Sequence, residues 1–140
     1  MKKYILTVCL GILLTGCATQ NVGKNMSPDD RLELNAPLYC EGEMQCKDVW
    51  ERAMYYVTSN SGYKIQNAND MLIQTYNPTQ IDIKLAWQIT KKPLGNGKYQ
   101  ILTSAWCNNV SGCYPDAYEA TLAAKRYMKI AMPEVKYKSL

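Results

Sequence analysis

Apolar residues recur at Cys46, Val49, Trp50, Ala53, Met54 and Val57 along an otherwise polar stretch. That three-and-four spacing predicts an amphipathic helix over 43–60. Asn60-Ser61-Gly62 supplies its stop, with Gly62 expected in the left-handed conformation that closes a helix. Residues 63–67 and 71–76 read as a strand pair around Asn69-Asp70, ending at Asn77-Pro78. Ile81, Ile83, Leu85, Trp87 and Ile89 then alternate with more polar neighbours, which predicts a strand over 81–90 with one buried and one wet face. Asn96-Gly97 is a two-residue hairpin signal, and Lys98 to Cys107 returns as the partner strand. On that strand Tyr99, Ile101 and Ala105 fall on one face, and Leu102 and Trp106 on the other.

The last element is expected to begin at Pro115, with Asp116 in its first turn, and to end at Pro133. Ala117, Ala120, Thr121, Ala124, Tyr127, Met128 and Ala131 give it a narrow stripe of mostly small residues that can lie close on a sheet. The sum is helix, three to four antiparallel strands, helix. With both helices on one face this is an α+β two-layer sandwich. The 140 residues are enough for one hydrophobic core.

The first seventeen residues follow a different pattern. Lys2 and Lys3 precede an apolar run from Tyr4 to Leu14, broken only by Thr7 and Gly11. That run is short of the ~20 residues a spanning helix needs, and fits a secretory signal. LTGC at 14–17 resembles the lipobox of bacterial lipoproteins. The resemblance implies a signal peptide over 1–16 and acylation of Cys17 as the first mature residue. It also implies a membrane partner through that anchor and a bacterial cell-envelope location. Ala18 in place of Asp resembles the outer-membrane sorting class; the domain is expected in the periplasm, with a surface-exposed orientation as the alternative. Residues 17–37 are polar, with Pro28 and Pro37, and are read as a lipidated start and flexible tether. The globular domain is expected over 38–140.

Export bears on the cysteines. Of six, Cys9 leaves with the signal and Cys17 takes lipid. Cys40, Cys46, Cys107 and Cys113 remain, an even number in an exported chain. Three pairings are possible. The local ones, Cys40–Cys46 and Cys107–Cys113, are favoured because each closes a short loop beside a helix start. A long-range pair such as Cys46–Cys107 would instead staple the helix to the sheet. The five-residue gaps are not those of zinc ligands, and no CxxC redox pair is present.

Composition narrows the function. The chain has no histidine, the commonest general base and metal ligand near neutral pH. Neither a nucleophile elbow, a phosphate loop nor a dinucleotide fingerprint occurs. No enzyme activity, cofactor or metal is therefore expected. The net charge of +4 falls to +2 without the signal lysines, and no basic cluster points to nucleic acid. Phenylalanine is absent and eleven tyrosines carry the aromatic mass, suited to half-wet surfaces. Trp106, Tyr55 and Tyr56 are the candidate binding surface. The expected role is a non-enzymatic structural or binding component of the envelope, accessory to an outer-membrane or secretion assembly, whose partner is another envelope protein. The alternative is a periplasmic inhibitor or immunity-type lipoprotein that blocks a hydrolase through the 107–113 loop.

Overall fold

The helix read from the 43–60 periodicity forms over that span. In the computed structural model, which describes residues 23, 25–79 and 81–130, α2 runs Glu43–Asn60 and buries Cys46, Val49, Ala53 and Val57. Gly42 gives its N-terminus no side-chain cap. Gln45 instead reaches back past the cap, its Oε1 accepting from the Glu41 N–H at 2.7 Å, while the Gly42 N–H donates to Gly97 O at 3.0 Å. At the other end Ser61 is the cap residue. Gly62 does not adopt the expected left-handed conformation. Its missing side chain serves close approach: a Cβ there would stand 2.4 Å from that of Lys84, and its N–H donates to Leu85 O at 3.0 Å.

Five strands form one antiparallel sheet: β1 Leu38–Glu41, β2 Ile65–Ala68, β3 Leu72–Thr75, β4 Ala86–Gly95 and β5 Lys98–Trp106. Their order is β1-β5-β4-β3-β2. The chain is α+β, with β1 added at the start of the domain to the three to four strands the sequence predicts. Asn96 and Gly97, at φ +50° and +71°, make the two-residue turn between β4 and β5.

The strand predicted over 81–90 is corrected. β4 begins at Ala86, so Leu85, Trp87 and Ile89 are buried as the alternation implies, whereas Ile81 and Ile83 are exposed. The chain before β4 is held in a turn: Asp82 Oδ1 accepts from the Lys84 N–H at 3.0 Å, and Ile81 sits at φ +60°.

α3 spans Ala117–Lys129. Its N-cap is Asp116, whose side chain accepts from Tyr118 N and Glu119 N. Pro115 therefore precedes the cap and is not the first helical residue. Ala120, Thr121, Ala124 and Met128 are buried as the small-residue stripe implies. Ala131 and Pro133, the expected end of the helix, lie outside the described residues, as do Cys17 and the signal segment. α2 and α3 cover one face of the sheet, and Ile73, Trp87, Ile89 and Ile101 meet Val49, Ala53, Ala124 and Met128 between the layers.

The tether expected over 17–37 is corrected in its second half. Pro28–Asn35 forms a helix, α1, with Ser27 accepting from the Asp30 N–H as N-cap. It has no buried residue of its own, so propensity alone would not hold so short a helix. Contacts from α3 hold it. Lys125 Nζ donates to the carbonyls of Glu33, Leu34 and Ala36 at 3.0, 2.6 and 2.5 Å, satisfying groups a helix C-terminus leaves open. Arg126 pairs with Asp30 and Glu33. Its hydrogen bonds hold both carboxyls below their ordinary range. The unfolded state thus takes protons first, so this docking is intact above about pH 5 and is lost as pH falls through the carboxylate range. The protection of α1 amides, relative to their intrinsic exchange rates, is expected to fall selectively on acidification. An α1 as protected at about pH 3 as at neutrality would contradict the account.

Both local disulfides are present. Cys40–Cys46 ties β1 to the first turn of α2, and Cys107–Cys113 closes the loop after β5, with Cα separations of 5.1 and 5.6 Å. No helix among the described residues is long and apolar enough to cross a membrane.

Candidate functional site

Residues three, four and seven apart share a helix face, so Asp48, Glu51, Arg52 and Tyr55 line the outer side of α2. Across from them α3 presents Tyr127. Together the five border an open hollow of about 460 Å³. Tyr55 is exposed and stacks on Tyr127, with ring centroids 6.2 Å apart and planes 27° from parallel. Arg52 places its guanidinium carbon 5.4 Å from the centre of the Tyr127 ring. The arrangement is pre-formed. Tyr127 is also braced from below by Tyr56 at 5.6 Å, and Tyr56 in turn meets Trp87 edge-on at 5.5 Å.

The three aromatic residues singled out in the sequence do not share a surface. Tyr55 faces solvent, and half-buried Tyr56 joins the groove to the core; burial raises its hydroxyl pKa. Trp106 sits opposite Ala86, one residue on from the Ala105–Trp87 pair that faces the helices. Successive strand residues point to opposite faces, so Trp106 lies on the far side of the sheet from Tyr55. Arg52 and Tyr127 complete the groove in its place. Tyr127 falls on the small-residue stripe of α3, and nothing in the sequence pairs it with Arg52.

A second hollow of about 310 Å³ lies between the end of α2 and the start of α3, with Asn60, Leu85, Trp87, Pro115 and Ala123 among its walls. The Trp87 Nε1–H is buried without a hydrogen-bond partner, whereas Trp50 Nε1 donates to Asn69 O at 3.0 Å.

Chemically the groove offers two carboxylates, a guanidinium and tyrosine faces. It can bind a side chain or segment that stacks and pairs charge. Among the described residues no three or more acidic or cysteine side chains gather as metal ligands would. No family model matches the chain, and no similar protein was found among curated proteins or solved structures.

Proposed function

We propose that this chain is a lipid-anchored, non-enzymatic binding component of the bacterial envelope, acylated at Cys17, whose domain works from the periplasmic side of the outer membrane. The LTGC motif supports the anchor. The two disulfides suit an oxidising compartment. The observation that carries the binding role is the α2–α3 groove: an exposed tyrosine, stacked and backed by a second ring, beside an arginine. Tyrosine and arginine dominate the energetics of protein interfaces, and a ring already fixed in place loses little entropy on binding. The partner fitting this groove is another envelope protein that brings a cationic or aromatic side chain to Asp48, Glu51 and Tyr55.

The test is crosslinking in intact envelopes followed by recovery of the chain. One discrete envelope protein is expected as partner, and Tyr55→Ala is expected to reduce its yield about tenfold, the effect of losing a hot spot of roughly 1.4 kcal/mol or more. Unchanged yield would remove the groove from the reading. The anchor is tested separately by the mass of the membrane-extracted protein, where an unmodified Cys17 would refute it.

A further inference from the structure

The anchored reading puts the membrane at Cys17, so the link between membrane and domain runs through residues 18–37, and α1 lies within it. Much of that link is folded up. The Met26 N–H donates to Gly23 O at 3.1 Å, and Arg31 reaches back to the carbonyls of Gly23 and Met26 at 3.1 and 3.4 Å. Pro28–Asn35 is wound into a helix of about 12 Å, where the same eight residues extended would span about 27 Å. We propose that residues 23–36 are a releasable length of tether: docked on α3 they hold the domain near its membrane anchor, and undocked they let it stand away. The proposal rests on the anchored reading for its setting, and on the following observations for the release.

What holds this segment is mainly polar and lies near the surface. Arg126 pairs with Asp30 and Glu33, Lys129 Nζ stands 3.7 Å from Glu33, and Lys125 closes the C-terminal carbonyls of α1. Asp29 and Arg31 are the other charged residues of α1, and Arg31 binds the segment's own carbonyls. Between residues 25 and 36 Met26 is the one buried apolar side chain, while Leu32 is 71% exposed. Exposed ion pairs are individually weak and screened by salt, and eight residues do not hold a helix unaided.

The next residues differ in kind. Past Ala36 and Pro37, Leu38 opposite Ile101 begins a ladder that runs to Glu41 opposite Lys98. Leu38 and Cys40 are buried in the core, and Cys40 is bonded to Cys46 of α2. Tension between membrane and domain therefore meets α1 first and a covalently backed strand second. The weaker element lies on the membrane side, so it lets go while the domain stays folded. The change in reach is large. With the segment docked, six residue spacings separate Cys17 from Gly23, at most about 20 Å. Undocked, twenty separate Cys17 from Pro37, at most about 70 Å. The first is shorter than a domain of this size is wide, and the second is about twice that width.

The experiment uses the native acylated chain in phosphatidylcholine vesicles that carry a dansyl-labelled lipid. Energy transfer from Trp50, Trp87 and Trp106, all in the domain, reads its distance from the membrane. Trypsin cleavage after Arg31 reads the opening of α1. Arg126→Ala removes both ion pairs and leaves the tether sequence around Arg31 as it was. It is expected to raise that cleavage about tenfold, to lower energy transfer, and to keep the urea midpoint of the domain. Asp30→Asn with Glu33→Gln, which leaves every side chain of the sheet, α2 and α3 in place, is expected to lower energy transfer alike. High salt is expected to move the wild-type chain toward the variants and to change the variants little. Three results would each overturn the proposal: cleavage of Arg126→Ala as slow as wild type; faster cleavage with unchanged energy transfer; or urea midpoints that fall in both variants, which would make α1 part of the domain's own cooperative unit. Failure of the anchored reading is seen separately. An unmodified Cys17 in the mass of the native chain would overturn the anchor and with it the reach, whereas cleavage after Arg31 needs no membrane and still decides the release.

Discussion

Trp87→Ala is expected to cost about 3–5 kcal/mol, the largest single-residue effect in the fold. Trp87 is fully buried on β4, beneath both helices, and braces Tyr56 edge-on. Truncation would leave a void at the junction of the two layers. A domain of this kind is stable by about 5–15 kcal/mol, so the variant would be close to unfolded at ambient temperature. Trp87→Phe separates volume from polarity. The indole N–H has no partner, and a buried unsatisfied donor costs about 1–3 kcal/mol. Its removal offsets part of the lost packing, so Trp87→Phe is expected to cost under about 1.5 kcal/mol. Urea midpoints at constant slope measure both. A phenylalanine variant as unstable as the alanine one would show that the N–H makes no net demand.

The second large effect is expected from replacing Cys40 and Cys46 together by alanine. Closing a seven-residue loop contributes about 2.4 kcal/mol in the chain-entropy account. The same figure applies to Cys107–Cys113, which closes an equal loop. The two pairs nevertheless differ in setting. Cys40 and Cys46 are both buried in the core, and their bridge fixes β1 against a helix start that lacks a side-chain cap. Cys107 and Cys113 are only partly buried. The first double variant is therefore expected to lose packing as well and to unfold at a clearly lower urea midpoint than Cys107→Ala with Cys113→Ala. Equal midpoints would mean that burial of the first bridge adds nothing.

What the chain disclosed in advance follows from where its stability is local. α2 carries its own apolar stripe over eighteen residues, and the Asn96-Gly97 turn has a specific backbone demand, so both were legible. The local cysteine pairing was legible for the same reason, since each loop is short. α1 was not, because its partners, Lys125 and Arg126, lie some ninety residues away. β1 was not, because four residues reading LYCE are too few for a period to show. The alternation through Ile81 and Ile83 misled for an instructive reason. It continues the pattern of β4 backwards into a segment that never joins the sheet, and whose apolar side chains stand in water. In the groove, sequence could find Tyr55 as one of the candidate contact residues but not Tyr127 opposite it, since that pairing exists only after α3 packs on α2.

The strand order also imposes a sequence of events. From β2 to β5 each strand pairs with its neighbour in the chain, so that meander can zip from short loops. β1 alone must find a distant partner, Leu38 opposite Ile101, and α2 has to cross the whole width of the sheet to allow it. The part of the polypeptide that is synthesised early is thus the part that cannot settle until the late residues arrive. A chaperone that holds the leading end, or a kinetic trap in which the meander closes without it, would act in that interval.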